Sequence, residues 1–375
     1  AANGEGYFCN TTAGSFEVDL PAGTAGAIVS VQDYNNTFDS NSLTVDPNGS
    51  EKINGGTAGD PVELKTEGQG VTFVYIDSTV GWRSVQDNTY ATQGQLFITA
   101  TGGTITTCGN DKIHTFTGPG TFCVSQIATC SANNQLSYTV VAGAGGGGEG
   151  APGSGHPGGG GGAGGFREDK SPVAPYTASP LEGAGTINAT VTGFPITVGA
   201  GGGGGAGPTG GPGVDGSNSI FSTITSEGGG GGGTGSNPGA GRSGEVGGSG
   251  GGSGSSNSPS TGGGAGNTPP VSPPQGNNGG PGAQSSGYGG SGGGATVAGT
   301  QTPGSVANPG GAGAATSITG SPVTYSAGGN TPYPLSGSII GSAGAANTGN
   351  GGGSGLNCCG GAGGSGIVII RYKFQ

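Results

Sequence analysis

Charged side chains are rare in this sequence, and basic ones are the rarest. Among 375 residues there are 9 Lys and Arg against 20 Asp and Glu, which gives a formal net charge of −11. Nucleic acids and anionic membranes bind cationic surfaces, so neither is an expected partner. The sequence also lacks any apolar run near the roughly 18 residues that a membrane span needs, so we expect no membrane insertion.

Histidine is almost absent, and neither His114 nor His156 lies near an acidic pair that would complete a catalytic or metal-binding group. Gly-x-Gly-x-x-Gly patterns are frequent, but none follows a strand and opens a helix as a nucleotide-binding loop does. We therefore predict a protein that is not an enzyme and has no cofactor and no metal. His114 is interpreted as a surface or packing residue of a strand, and His156 as a side chain that projects from an outer glycine-rich rod.

The cysteines lack the Cys-x-x-Cys spacing of zinc ribbons, although their number is even. We take all six as disulfide candidates, which suits a protein that works outside the cell. A particle assembled inside a cell would carry the same residues as thiols. Two of them flank the segment VSQIAT and are placed to close a hairpin, Cys123 and Cys130. The other candidates are Cys9, Cys108, Cys358 and Cys359.

Large apolar residues are concentrated before residue 142, and the later part holds too few of them for an ordinary apolar core. Residues 1–98 alternate apolar and polar positions between Gly, Pro, Asn and Asp clusters, which predicts a β-sandwich-like module. No window shows a helical period over three turns. The predicted core of this module is Val18, Leu20, Ile28, Val29, Val31, Leu43, Val45, Val71, Phe73, Val74 and Trp82.

Glycine is abundant, with 98 residues, and its spacing is ordered. Steps of three from Gly229 to Gly250 fall on glycine except at Pro238, while other side chains occupy the remaining two phases. A polyproline II rod has three residues per turn, so this period gives a rod with one bare edge that another backbone can approach. Glycine fills all three phases in Gly228–Gly233, which excludes the Gly-X-Y repeat of collagen.

Residues 99–375 are predicted to form one glycine-rich domain with a β base at about 99–142 and 366–373. The strand QLSYTVVAG runs directly into glycine, and GGAGGSGIVIIRYKFQ returns from glycine to a strand. We expect Tyr138–Ala142 and Ile367–Tyr372 to lie close together, with further short strands in 194–201 and 219–229. The predicted fold class is an all-β N-terminal module followed by a glycine-rich sandwich closed by β-strands, with essentially no α-helix.

The segments YTVVAGAGGGG, PITVGAGGGGG, SIFSTITSEGGGGGG and GGAGGSGIVIIRY resemble the glycine-rich domain of bacteriophage tail-fibre and adhesin proteins. The N-terminal VDLPAG, VSVQDY, SLTVDPNGSEKINGG and VTFVYIDSTVGW resemble a β module of tail fibres and other virion proteins, notably in phages of marine cyanobacteria. The resemblance implies a polyglycine II sandwich, with all-glycine rods inside and rods of Gly-Gly-x type outside.

The resemblance also implies a structural virion protein that presents loops to a host-cell surface receptor, either a protein or a polysaccharide. Three segments rich in proline interrupt the glycine, 166–185, 255–278 and 321–340, and the first and the last of them also contain tyrosine. Tyrosine supplies flat amphipathic contact area at a low entropic cost, so Tyr176, Tyr325 and Tyr333 are the receptor-contact candidates. The alternative interpretation is that these tyrosines only cover the ends of the rods.

A second hypothesis is a secreted glycine-rich protein that polymerises into an extracellular filament, with the β module pairing with a neighbour's exposed strand. The six cysteines favour this hypothesis. In either case other virion or filament subunits, including copies of the chain itself, are expected partners. An ice-binding role is disfavoured because Arg242 and Glu245 interrupt the flat, regular face that such a role needs.

Overall fold

The computed structural model describes residues 1–85, 96–153, 155–206, 211–235, 243–256, 262–283, 287–301, 308–332 and 336–375. The chain divides into two compact units, Ala1–Leu96 and Phe97–Gln375. The sequence-based boundary falls after residue 98, two residues later.

The first unit is a sandwich of two small sheets. One sheet has the strand order β1-β3-β6-β7, in which β1 runs parallel to β3, and the other has the order β2-β4-β5. Each strand places alternate side chains between the sheets, where they form one apolar cluster. The strands are β1 (Glu5–Cys9), β2 (Phe16–Asp19), β3 (Ile28–Asp33), β4 (Leu43–Asp46), β5 (Val62–Leu64), β6 (Gly70–Asp77) and β7 (Gly81–Ser84).

Most of the predicted core of this unit is buried between the two sheets, and Val18 packs against it. Ile28 and Val74 are exceptions, because both lie on the outer face, where they are cross-strand partners. Ile28 is 43% exposed. Since a strand alternates its side chains, burial of Val29 turns Ile28 outward, and burial of Phe73 turns Val74 outward.

Trp82 anchors one side of this core. Its side chain is fully buried, its ring packs edge-on against Tyr75, and its indole N–H donates to Glu51 Oε2 at 2.9 Å. A buried indole needs such an acceptor because an unpaired N–H away from water is costly. The prediction that Trp82 is a core or turn anchor is confirmed.

The second unit begins with a larger sandwich, here called the base. One sheet has the order β13-β12-β20-β10-β9, with β14 paired to β12, and the facing sheet has the order β17-β16-β15-β11-β8. The helical element among the described residues is one 3-10 turn, Ser131–Asn134. The strands are β8 (Thr99–Thr101), β9 (Thr104–Cys108), β10 (Asp111–Phe116), β11 (Gly120–Gln126), β12 (Gln135–Val141), β13 (Phe166–Asp169), β14 (Ile187–Asn188), β15 (Gly193–Thr197), β16 (Ser219–Phe221), β17 (Ile224–Ser226), β18 (Ala314–Thr316), β19 (Val323–Tyr325) and β20 (Ile367–Lys373).

The pairing of β12 with β20 joins the beginning and the end of the glycine-rich part. The two strands are antiparallel, and Tyr138 faces Ile370 across the ladder. This confirms the expected proximity of Tyr138–Ala142 and Ile367–Tyr372. Apolar clusters cover both faces of the pair, and the second face is closed by the hairpin of β18 and β19. Burial on both faces explains why β20 begins with a continuous apolar run, Ile367–Ile370.

Beyond the base, the glycine-rich segments form rods that bond through their backbones. In the rod 143–150, N–H groups that are three residues apart donate to the same neighbouring segment. The three segments that accept these hydrogen bonds are 159–162, 211–217 and 358–364. A three-residue period belongs to the polyglycine II geometry and cannot arise from a β-strand, whose period is two.

The same rod also accepts hydrogen bonds from three further segments, 202–205, 229–235 and 352–355. One rod is therefore surrounded by backbone on six sides. Its order rests on paired N–H and C=O groups and not on side chains, which resolves how a segment without side chains is held together.

Interior glycines of the rods have no room for a side chain. A Cβ built on Gly145, Gly146, Gly147 or Gly148 would lie closer than 3.0 Å to the backbone of a neighbouring rod, a separation that real Cβ atoms essentially never show. The outward side of a peripheral rod differs, since a Cβ on Gly203 would meet only one side-chain methyl, at 3.9 Å. This crowding requires glycine at these four positions, but the interior rod 143–150 also contains the buried residues Ala144 and Glu149, so the predicted all-glycine composition of interior rods does not hold here.

The chain is thus all-β with a polyglycine II bundle, as predicted. None of the helical segments in the described ranges has the length and apolar character that crossing a bilayer requires.

Candidate functional site

Each rod has one end at the base and one end away from it, and the segments that connect the rods lie at one end or the other. Residues at the end of the rods away from the base, here called the far end, are joined by contacts between sequence-distant segments. Gly235 N donates to Glu149 O at 2.9 Å, Gly150 N donates to Cys358 O at 3.0 Å, and His156 Nδ1 lies 3.2 Å from Ser255 Oγ. His156 is buried by these contacts, so the prediction that it projects from an outer rod is wrong.

A shallow pocket of about 240 Å³ opens at the far end. Residues 339–342 line one side of it, and Ile339 is fixed there by a backbone bridge to Leu356. The lining is uncharged and mixes apolar with amide and hydroxyl groups. It consists of Asn330, Pro332, Ile339, Ile340, Gly341, Ser342 and Ser354.

The polar groups of this pocket are held in place by the rods. Ser354 N donates to Asn330 O at 3.0 Å, and Ser342 Oγ donates to Asn330 Oδ1 at 3.3 Å. The hydroxyl of Ser354 is buried and has no hydrogen-bond partner. Ile340 stands beside these groups with 71% of its surface exposed. Such a site suits a neutral ligand that offers hydroxyl or amide groups and some apolar surface.

Tyr176 lies at the base and not at the far end. It is 7% exposed, and the Arg371 guanidinium lies 5.3 Å from its ring centroid. Burial, reinforced by the charge of Glu168, raises the pKa of the Tyr176 hydroxyl. The prediction that Tyr176 is an exposed receptor contact is corrected, because its ring fills the apolar cluster beneath the base sheet.

Tyr325 is corrected in the same way. It belongs to β19, is 4% exposed and packs in the same cluster as Tyr176. Burial is also the main reason why its pKa is raised. Both rings pack against the base sheet, and the alternative interpretation, that tyrosines cover the ends of the rods, stays a prediction. Tyr333 lies outside the described residues.

The three proline-containing segments do not gather at one end. The segment 166–185 begins as strand β13 of the base, and 255–278 returns from the far end to the base, where Gln275 O accepts from Phe166 N at 2.9 Å. The segment 321–340 runs the opposite way, from β19 to the far-end pocket. Among the described residues of the three segments, those that line the pocket belong to the last one.

Buried charges in the base have structural partners. Arg371 Nη2 and Asp111 Oδ2 are 2.7 Å apart and nearly inaccessible to solvent. The carboxylate of Glu168 accepts from Ser179 N at 2.8 Å and from the Thr316 hydroxyl. These contacts join β10, β13, β18 and β20, so they hold the base together and offer nothing to a substrate.

His114 is a packing residue, as predicted, and it lies inside the base. Its Nδ1 donates to Gly102 O at 2.7 Å, and its Nε2 lies 3.1 Å from the Tyr372 hydroxyl. Burial lowers the pKa of His114, and Lys112 contributes in the same direction, against the opposing effect of the bond to Gly102. Burial also raises the pKa of Tyr372 to about 12. The imidazole is therefore neutral and structural.

All six cysteines are present as free thiols. Cys9 is buried, Cys123 and Cys130 are exposed, and the remaining three are intermediate. Burial, followed by the charge of Asp33, raises the pKa of the Cys9 thiol. The hydrogen bond to Cys358 is the main reason why the pKa of Cys359 is raised. The disulfide set stays a prediction.

One cluster of acidic residues has the spacing of a cation site. Carboxylate oxygens of Glu17, Asp19 and Asp46 lie within 4.8 Å of one another on the first unit. The hydrogen bond between the carboxyl groups of Glu17 and Asp19 is the largest cause of the raised pKa of Glu17. Exposed carboxylates also cluster in this way without an ion, and the geometry assigns no metal here.

A bundle of glycine rods mounted on a β base defines the class of this protein. Residues 116–373 match a family described as a glycine-rich domain, and this match covers more than half of the chain. The chain therefore belongs to the glycine-rich domain family. No curated protein matches it.

The sequence indicated the pocket only in part. Asn330, Ile339 and Ile340 lie in the predicted loop 321–340, whereas Ser342 and Ser354 were not singled out. The available signal was the pair Ile339-Ile340 within a stretch of Gly, Ser and Ala, since two adjacent large apolar residues stand out there.

Proposed function

We propose that this protein is a structural component of a bacteriophage fibre, with a rigid glycine-rich scaffold that presents its far end to a receptor on the host-cell surface. The receptor is a protein or a polysaccharide. In this proposal the chain is not an enzyme, uses no cofactor and works on the virion. The resemblance of its rod-forming segments to tail-fibre and adhesin domains supports the viral assignment.

The observation that carries the proposal is the sixfold backbone contact around the rod 143–150. A scaffold held by regular hydrogen bonds needs no large apolar core and tolerates variation in the segments that connect its rods. Connecting segments on a rigid support are where binding residues concentrate in proteins generally. This architecture favours presentation of a surface over chemistry at a cleft.

The far-end pocket supports a recognition role at that end. Ile340 and Asn330 are exposed next to a buried hydroxyl without a partner, in a lining with no charged residue. Because the whole chain is anionic, an uncharged contact surface avoids repulsion from the acidic polymers common on cell surfaces.

Cryo-electron microscopy of the native particle tests the proposal most directly. We expect separate copies that project from a virion with the far-end pocket outermost and the base towards the particle. Axial stacking of chains into an extracellular filament would contradict the fibre assignment and support the filament hypothesis.

A binding assay tests the presenting surface separately. Ile340→Asp in the purified chain is expected to weaken adhesion to host cells by about tenfold or more, since interface residues that matter cost over about 1.4 kcal/mol when lost. Val173→Asp is the matched control, because Val173 is also an exposed apolar residue but lies at the base. Equal adhesion of both variants would place recognition elsewhere.

A further inference from the structure

The two sheets of the first unit have outer faces of opposite character. Strands β2, β4 and β5 direct Glu17, Asp19, Asp46 and Glu63 outward, which marks that face as solvated. The outward side chains of the other sheet include one carboxylate, that of Asp77 at the end of β6, although twelve of the chain's twenty acidic residues lie in residues 1–96. The outward residues are Gly6, Phe8, Ile28, Ser30, Gln32, Gly70, Thr72, Val74, Ile76, Asp77 and Arg83.

The same face also exposes large apolar side chains. Phe8 is 75% exposed and Ile76 is 44% exposed, in addition to Ile28 at 43%. Tyr34, the residue after β3, is 65% exposed. Single apolar residues on a surface are ordinary, but several of them on a face with a single acidic residue, in so acidic a unit, are typical of an interaction surface.

We propose that the outer face of the sheet β1-β3-β6-β7 binds the same face of a second copy of this chain. The distribution of its side chains is complementary to itself under a two-fold axis. Ile28 and Val74 form one rung of the ladder, Ser30 and Thr72 form the middle rung with their hydroxyls 2.8 Å apart, and Phe8 lies beyond the next rung beside Gln32.

A two-fold axis through the Ser30–Thr72 rung brings Phe8 of each copy over the Ile28–Val74 rung of the other. The middle of the interface is then a set of hydroxyls, and both ends are apolar. Isologous contacts of this kind are the commonest interfaces of soluble oligomers. Electrostatics favour the same occupant, because two acidic units meet with less repulsion through this face, where Asp77 lies at the end of β6, than through the face that carries Glu17, Asp19, Asp46 and Glu63.

The area of the face determines how tightly two copies are expected to associate. Four strands about 4.8 Å apart and about 20 Å long give a flat area of roughly 300–400 Å², about half of the roughly 800 Å² per partner in a standard interface. Association through this face alone is therefore expected to be weak, with a Kd in the micromolar range or above. The inference does not depend on the proposed function, since it concerns only the first unit.

Sedimentation velocity of the full chain between about 1 and 200 μM tests it. We expect a reversible shift from monomer to dimer, and the shift is expected to vanish in Thr72→Glu, which places two like charges near the axis. Thr44→Glu is the matched control, because Thr44 is the corresponding half-buried threonine on the acidic sheet. It should dimerise as the wild type does.

Phe8→Ser gives a second variant that cannot disturb the core, and it should weaken dimerisation about tenfold, as expected for an apolar contact residue. A wild-type chain that stays monomeric over the whole range overturns the proposal. So does a dimer that persists in Thr72→Glu, since it would use another surface. If Thr72→Glu lowers the melting temperature without a change in mass, another part of the same chain covers this face and the proposal is wrong.

Discussion

At the scale of single residues, the rods depend on what glycine lacks. A glycine inside the bundle contributes an N–H and a C=O to different neighbours, and the space where its Cβ would stand is filled by a third backbone. The requirement is steric, since the conformation itself is open to other residues. Substitutions at glycine should therefore depend on position in the bundle and not on helix or strand propensity.

Gly147→Ala tests this dependence. Its new methyl group would meet the backbone of Gly353, which cannot move aside without breaking the bonds of that rod. Overpacking of this kind costs about 1–3 kcal/mol, so we expect thermal unfolding several degrees lower. Gly203→Ala, on the outward side of a rod, should unfold within about a degree of the wild type. Equal losses in the two variants would contradict the packing described.

His114 gives a prediction about pH. Its folded pKa lies below the unfolded value of about 6.5, so the folded state disfavours the protonated ring. The stabilisation from neutral His114 is complete above that value and is lost as the pH falls below it towards the folded pKa. Melting temperatures measured from pH 8 to pH 5 should fall more steeply for the wild type than for His114→Gln. Equal slopes for the wild type and His114→Gln would contradict this prediction.

At the scale of elements, the ladder between β10 and β20 is tied by a buried ion pair. Asp111 and Arg371 are both about 3% exposed, and the Arg371 Nη1 also donates to Ile318 O at 3.1 Å. The guanidinium thereby connects the base sheet to the segment between β18 and β19. Breaking such a pair lowers the free energy of unfolding, because it leaves a buried charge without a partner.

Asp111→Asn is expected to destabilise the second unit by about 3–5 kcal/mol, because it leaves the Arg371 charge buried and unpaired. Chemical denaturation with urea would measure the difference. Lys65→Met removes the exposed pair with Glu63 and should cost about 0–1 kcal/mol. A loss below about 1 kcal/mol in Asp111→Asn would show that the pair is not the tie between these elements.

The elements themselves could be predicted from local patterns to a large extent. Alternation identified the strands around Val29 and Phe73, and the apolar run at 367–372 identified the closing strand. Alternation did not fix which of two adjacent apolar residues faces inward, so Ile28 and Val74 were misplaced. Both faces of a strand can carry apolar residues when one face is a surface for another molecule, and the sequence alone does not separate these cases.

The functional candidates were harder to predict because tyrosine has two uses. In a glycine-rich sequence Tyr176 and Tyr325 have the composition of contact residues, yet both cover the underside of the base. Their burial depends on where β13 and β19 pair, which is a long-range property. The pocket was found only in part for the same reason, since Asn330 and Ser354 meet through the packing of rods.

At the scale of the whole molecule, the second unit combines two kinds of order. The base is held by apolar clusters, whereas the bundle is held by backbone hydrogen bonds between rods. The base and the bundle are continuous with each other, because strand β12 passes directly into the rod 143–150. Opening one rod requires breaking bonds to its neighbours at the same time, which makes the bundle cooperative.

Hydrogen exchange would measure this cooperativity. The amides of residues 145–148 should exchange as slowly as those of β12, because each is buried and donates to a neighbouring rod. Gly118, which has open space around it, should exchange rapidly. Rapid exchange throughout the rods, with slow exchange confined to the base, would contradict a cooperative bundle.

The three-residue period of the rods restricts how such a protein can change over generations. Inserting one residue into a rod turns every later N–H by a third of a revolution, so each donor would point to the wrong neighbour. Only insertions or deletions in multiples of three preserve the match. The connecting segments carry no such restriction, so length changes should accumulate there while the rods keep their count. The lengths of the rods are therefore expected to be conserved in descent, whereas the connecting segments at their ends are free to change.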